Sequence, residues 1–273
     1  ATGTELNYVD GVTSSIQTQL DSKISAGLVS VTENSNTGYR LASANASNHG
    51  DIGDGGLDLS YQPSASTTTG STGDYSTAMG STTTASGDYS TAMGYYTTAS
   101  GERSTAMGYF TKATDDYSTA MGYGTKASGE NSTAMGTQTI ASAYSSTALG
   151  AATTASGERS TAMGYNTTAS DYSSTVIGQH NSSGSTATSA TSFSTLAPAF
   201  VIGNGVDASN KSDAFSVLFN GNTTIGGSLT LNGTEITATG TELNYVDGVT
   251  SSIQTQLDSK QIAITGAATT IVT

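Results

Sequence analysis

Small and apolar positions recur along the middle of this chain with a fixed beat. The pentad S-T-A-M-G starts at Ser76, Ser90, Ser104, Ser118 and Ser132, drifts to S-T-A-L-G at Ser146, returns at Ser160 and ends as S-T-V-I-G at Ser174, eight copies at an unbroken spacing of 14 residues. A short fixed period predicts a solenoid in which each copy is one rung that cannot stand alone. Two variable residues follow each of the first seven pentads, and then T-x-A. Thr83, Thr97, Thr111, Thr125, Thr139, Thr153 and Thr167 never vary, nor does the alanine two residues later. The residue between them is Thr84, Thr98, Lys112, Lys126, Ile140, Thr154 or Thr168. Side chains alternate across a strand, so T-x-A reads as an outer strand buried on one face, with lysine on the wet one.

The pentad behaves differently, because both of its faces are constant: Ser76, Ala78 and Gly80 on one, Thr77 and Met79 on the other. A strand constrained on both faces is buried on both. The small-residue face packs across a thin gap on its own rung's outer strand. The other carries a ladder of Met79, Met93, Met107, Met121, Met135, Leu149, Met163 and Ile177, and a single coil supplies no partner for it. Closed rotational self-association would bury it. Rungs stacked near 4.8 Å would make the eight copies roughly 40 Å long. Gly80 and its equivalents are expected to close one corner; Gly87-Asp88, Gly101-Glu102, Gly129-Glu130 and Gly157-Glu158 close the other.

A second repeat frames the first. Residues 1–23 are identical to residues 238–260, so the chain reads as a segment of a longer modular protein. In each connector Leu6-Asn-Tyr-Val-Asp10-Gly11 or its copy ends in a D-G turn signal. A Ser14/Gln17 capping box then leads into Ile16 and Leu20, repeated as Ile253 and Leu257. That predicts a helix of two to three turns, marginal alone. Three copies around an axis would bury its narrow apolar stripe; docking on a neighbouring domain is the alternative. The organisation is therefore a helical connector at 1–26, a small β lead-in at 27–63 and the repeats at 64–180. A β-rich closing element at 181–236, the repeated connector at 237–260 and the start of a further module at 261–273 complete it.

Composition narrows the class. There is no cysteine or tryptophan, two prolines, 33 glycines, and only 11% of residues are charged, against about 25% in ordinary domains. The low charge density and periodic apolar residues argue against disorder. A net charge of −13 with eight scattered basic residues disfavours nucleic acid as a partner. No apolar run approaches the roughly 20 residues that span a bilayer, so no membrane insertion is expected.

Candidate chemistry is sparse. Aromatic residues follow the rung glycine as Tyr95, Tyr96, Tyr109, Phe110, Tyr123 and Tyr165; such ladders can stack on sugar rings and are the candidate glycan site, or else seal a corner between protomers. The acidic ladder Asp74, Asp88, Glu102, Asp116, Glu130 and Glu158 sits at a turn and reads as a solvated edge. His49 and His180 are the only histidines, without H-x-H spacing for a metal. With no cysteine and no G-x-S-x-G motif, no triad is expected. Neither catalytic residues, metal nor cofactor are expected.

The period and pentad resemble the YadA-like head of trimeric autotransporter adhesins, whose rung reads roughly S-x-A-x-G followed by a small-residue strand. The resemblance covers about residues 64–180. It implies an all-β chain: a homotrimeric, left-handed parallel β-roll of 14-residue rungs, flanked by small β elements and short helical connectors. The flanks Asp58-Leu59-Ser60-Tyr61 and Phe200-Val201-Ile202-Gly203-Asn204-Gly205 fit. Ala214–Leu218 through Asn220–Gly226 resembles material in bacteriophage tail fibres and mosaic adhesive trimers of predatory bacteria, and the connector looks like linkers of the same fibres. Neither a long coiled-coil stalk nor a membrane anchor is expected within these residues, which favours a phage or similar mosaic fibre over the autotransporters. The expected function is a structural and adhesive segment of a tail fibre, extracellular, contacting a host glycan or other receptor. The alternatives are a bacterial cell-surface adhesin and a Thr-rich monomeric solenoid that binds ice or a crystalline polymer.

Overall fold

In a computed structural model the described residues are 15, 16, 18, 19, 27–245, 249 and 252–270. They form two compact units, divided at Gly226/Gly227.

The first unit is a parallel β-solenoid. Its long sheet has 14 strands: the antiparallel hairpin Leu28–Glu33/Asn36–Leu41, then Leu57–Tyr61, the eight pentad strands Thr77–Ser81 to Thr175–Gln179, then Pro198–Asn204, Asp213–Leu218 and Thr223–Ile225. A second sheet holds eight two-residue strands, from Gly70–Ser71 and Thr84–Ala85 to Thr168–Ala169. Successive pentads pair parallel in strict register, as in Met107↔Met121 and Gly108↔Gly122. Leu57–Tyr61 and Pro198–Asn204 pair parallel with the first and last pentads, so the stack continues past the repeats at both ends.

Each rung turns out to be two seven-residue halves. Ser76-Thr77-Ala78 and Thr83-Thr84-Ala85 have the same inside-outside order, with the first and third residues buried. A residue with positive φ precedes each half: Tyr75 at 53° and Thr82 at 54°. The core is accordingly an alanine at every seventh position, Ala78 to Ala169, continued by Val176 and Val201, all fully buried. From Ala78 to Ala169 each of these core positions contributes a single methyl group between the two sheets.

The chain turns at Gly87-Asp88 and its equivalents as expected, but the other corner differs. Gly80 and its equivalents do not make the turn; they sit inside the long strand, with φ near 120° from Gly94 to Gly164. The left-handed corner residues are mostly not glycine, and include Tyr89, Tyr96, Arg103, Phe110 and Arg159. Their strain, about 1 kcal/mol each, is offset by a hydrogen bond to the rung before: Tyr96 N–H donates to Ser81 O at 3.0 Å and Phe110 N–H to Tyr95 O at 2.9 Å. The outer strand is only two residues long, as in Thr84–Ala85, because the corners consume the rest.

The constant threonines point inward. The hydroxyls of Thr83, Thr97, Thr111, Thr125, Thr139, Thr153 and Thr167 are buried without a hydrogen-bond partner. A buried, unbonded hydroxyl is unfavourable. Thr125→Val, which keeps the shape, is therefore expected to stabilise the solenoid by about 1 kcal/mol. The midpoint of denaturant unfolding checks this; a lower midpoint would mean the hydroxyl is bonded.

In the second unit, a hairpin (Leu229–Leu231 with Thr234–Ile236) precedes a short helix, Gly240–Asn244, and a longer one, Ile253–Thr270. The short helix starts at a capping box that the sequence reading missed: Thr239 Oγ1 accepts from Glu242 N–H at 3.2 Å, and Glu242 Oε2 accepts from Thr239 N–H at 2.7 Å. The cap of the second helix falls one residue later than expected. Ser252 Oγ accepts from Thr255 N–H at 3.1 Å, and Ser15 Oγ accepts from Thr18 N–H at 3.1 Å in the first copy. Ser14 and Gln17 lie outside the described residues. At 18 residues the second helix also exceeds two to three turns, because residues 261–270 contain no proline to stop it.

Candidate functional site

Among the described residues an apolar stripe runs along the outer face of the long sheet. Ala78 points inward and Met79 outward on the same strand, as strand alternation requires. Met79, Met93, Met107, Met121, Met135, Leu149 and Met163 stand in continuous register. All are half-buried or exposed: Met79 is 36% exposed, Met107 38% and Met163 37%. Ile177 continues the row and pairs with Ile202, and Leu59 precedes it opposite Met79. The stripe is thus longer than the eight residues read from the repeats. A row of half-covered thioethers flanked by outward threonines is a surface waiting for a matching surface.

The aromatic candidates divide into two columns at one corner. Tyr95, Tyr109 and Tyr123 stack face to face, with centroids 5.2 and 5.3 Å apart. Tyr96 stacks on Phe110 at 4.9 Å, and edge contacts join the columns. Loss of water, then the neighbouring Tyr96 and Tyr109 phenols, raise the Tyr95 phenol above its usual value. Tyr165 stands apart, edge-on to buried His180 at 5.3 Å. The stacking matters chemically, because most ring faces are turned to other rings. What reaches solvent is ring edges and hydroxyls, with free faces only at the column ends.

A second aromatic column, at the other corner, was not singled out from sequence. Tyr75 stacks on Tyr89 at 5.2 Å. The Arg103 guanidinium lies between the Tyr89 and Tyr117 rings, 5.3 and 5.4 Å from their centroids, and donates to Tyr117 Oη at 2.6 Å. Arg159 is held likewise between Tyr144 and Tyr172. The spacing Tyr75, Tyr89, Tyr117 was the available signal.

The acidic ladder has a structural use. Asp74, Asp88 and Asp116 each accept, through Oδ1, the N–H of the equivalent corner one rung earlier, at 2.8, 2.9 and 2.8 Å. Among the described residues no group of three or more His, Cys, Asp or Glu could hold a metal.

The lead-in contains a buried polar network assembled from distant positions. Arg40 grips Glu33 with two hydrogen bonds, 2.8 and 3.0 Å, and donates to Gly50 O at 3.0 Å. Asp58 is fully buried; its Oδ2 lies 2.7 Å from His49 Nδ1, and its Oδ1 accepts from the Ser60 hydroxyl and N–H. Burial pushes the Asp58 carboxyl up, but the His49 and Ser60 hydrogen bonds outweigh it, and the net shift is downward. Hydrogen bonding from Arg40 lowers Glu33 against its own desolvation, helped by the Ile52 N–H. Carboxyls depressed in the folded state stabilise it above their unfolded values near 4 and stop doing so as pH falls through the folded values. Acidification below about pH 4 is therefore expected to open residues 27–63 first, while the roll, held by backbone pairing, persists. Hydrogen exchange at Ile52 against Ala106 measures this; equal loss of protection at both would refute it.

In the connectors, Ile253 and Leu257 lie exposed on the long helix and, with Tyr245 and Val249, line a groove of about 270 Å³. Ile16 is half exposed, and Leu20 lies outside the described residues.

The rung geometry agrees with a known repeat. The YadA head domain repeat, taken two copies at a time, matches residues 71–97, 99–125, 127–153 and 155–181, so each match spans two rungs. Residues 71–181 are a run of YadA head repeats. No curated protein matches the chain. In this YadA-like head the family's repeated small residues are the buried columns, and the variable residues are the corners and the outward position of the short strand.

Proposed function

We propose that the chain is a structural and adhesive segment of a long homotrimeric fibre, a bacteriophage tail fibre that mediates host attachment. The observation that carries this reading is the methionine stripe. It runs the length of the YadA-like head on a strand whose opposite face is already its own core, so its complement has to come from other copies of the chain. Heads of this family belong to trimeric adhesins, which supports three copies meeting along the stripe and a location outside the cell. Identical connectors at 1–23 and 238–260 suit a fibre built of serial modules, and the exposed Ile253 and Leu257 would pack against their own copies in the other chains. The partner is a host-surface glycan or other receptor, contacted by the edges and end faces of the columns Tyr95/Tyr109/Tyr123 and Tyr96/Phe110, and by Tyr165. The segment has no catalytic role in this reading.

A bacterial cell-surface adhesin made of the same modules is the second reading, favoured by the family to which the head repeats belong. The monomeric ice- or polymer-binding solenoid is weakened by two features. Its constant Thr83-type threonines face inward, and its outward Thr77-type threonines stand beside methionine instead of a second threonine.

Light scattering of residues 1–273 at low micromolar concentration tests the assembly. The expected mass is about three times the 27.3 kDa chain; a folded monomer would end the fibre reading.

A further inference from the structure

Where the lead-in meets the first rung, the buried network described above borders a recess of about 170 Å³. Its wall combines the apolar Leu41, Ala44 and Pro63 with the polar Ser43, Asn45, Asn48, His49, Ser60 and Gln62, and Tyr61 also lines it. No lysine, arginine, aspartate or glutamate lines it. Asp58, the nearest carboxylate, is turned into Arg40, Ser60 and His49. An ionic ligand would find no counter-charge there, and an apolar one would strand amide and hydroxyl groups.

The wall is held stiffly. Asn48 Nδ2 donates to Gln62 O at 2.7 Å, Asn45 Oδ1 accepts from Ser47 N–H at 3.1 Å, and Gln62 Nε2 donates to Ser60 Oγ and Thr83 O, both at 2.9 Å. These bonds use one end of each amide. Asn48 Oδ1, Asn45 Nδ2 and Gln62 Oε1 have no partner among the described residues. The His49 side chain is 2% exposed and its Nδ1 is committed to Asp58. Its Nε2 is the remaining polar atom of a ring that lines the recess. Tyr61, which lines the recess, is 67% exposed, so its ring is open to a ligand from solvent.

We infer that this recess is a binding subsite for a single neutral pyranose residue. Paired amide and imidazole groups take vicinal hydroxyls, and the Tyr61 ring takes the sugar's C–H face. Pre-formed pockets of this kind, with a few fixed polar groups, are the usual form of small-ligand sites. The inference is independent of the aromatic columns. It rests on the fibre reading only for the source of the sugar, a terminal residue of a host-surface glycan.

The test uses the intact chain with labelled histidine, which gives signals from only His49 and His180. The probes are the methyl pyranosides of glucose, galactose, mannose and N-acetylglucosamine, each taken to about 50 mM, since single sugars bind in the millimolar range. At least one is expected to move the His49 ring signals saturably while His180 stays still. Tyr61→Ser, at an exposed site, should leave the thermal midpoint unchanged and weaken that response about tenfold. The inference is overturned if all four sugars leave His49 unmoved, as they would if a neighbouring protomer filled the recess. A shift shared equally by His180, or an unaltered response in Tyr61→Ser, overturns it too. The trimer mass is measured separately, so failure here and failure of the fibre reading give different results.

Discussion

Gly122→Ala is expected to break the roll in the middle. The backbone there has φ +123°, and an added Cβ would lie 2.0 Å from Gly136 O, 2.9 Å from its C and 3.1 Å from its N. Every one of these atoms is backbone of the next rung, so no side-chain adjustment relieves the clash. Relief requires the rungs to part, and parting them breaks the five-residue pairing of Thr119–Tyr123 with Thr133–Thr137. Strain at such a φ is about 1–3 kcal/mol before the clash is counted. A total loss of about 4 kcal/mol or more puts the change in the class that unfolds marginal proteins. Because each rung touches only its neighbours, the damage should split one melting transition into two. Gly221→Ala is the control: its φ is +87°, but nothing lies within 4 Å of the added Cβ, so it should lose only about 1 kcal/mol. Calorimetry of both variants measures the clash apart from the φ strain, and equal melting of the two would refute the stacking argument.

Replacing Met93, Met107 and Met121 together by Asp is expected to convert the proposed trimer into monomers whose roll is intact. These side chains point away from the alanine columns, so the inner core of each chain is unchanged. Burying a methionine contributes about 1.5–3 kcal/mol, so nine of them around an axis contribute on the order of 10 kcal/mol. The variant instead brings nine carboxylates together, each like charge opposing association. Light scattering should fall to the single-chain mass of 27.3 kDa while the β circular-dichroism signal remains. A trimer that survives would place the axis on another face.

Much of the roll was legible because it is written many times. The constant Thr83-type and Ala85-type positions identified the inward face, and Lys112 and Lys126 marked the outward one; both hold in the structure. The half-rung was equally available in Ser76-Thr77-Ala78 against Thr83-Thr84-Ala85, yet the louder pentad hid it. One corner was legible, since the chain does turn at Gly87-Asp88 and its equivalents, but the other was not. Glycine suggested turns, but Gly80 and its kin are glycine because neighbouring backbones nearly touch, and the turning residues are tyrosine, arginine and phenylalanine. Positive φ at such residues has no compositional signature, since interrung hydrogen bonds enforce it. The candidate sites were legible as columns but not in orientation: the order Tyr95, Tyr109, Tyr123 shows a ladder, not that its rings face each other. The lead-in network was hidden for a different reason. Glu33, Arg40, His49 and Asp58 meet only through tertiary packing, and one copy offers no internal comparison.

The strict register of the stack also means that nothing within a rung counts the rungs. Each pentad pairs with the next as the last one did, and only the short-strand sheet stops near Asp171, which accepts from Thr188 and Ser189 N–H of the following loop. Reach is thus a heritable dial: duplicating or deleting one rung's worth of gene moves whatever lies beyond by one fixed increment and leaves every other contact unchanged.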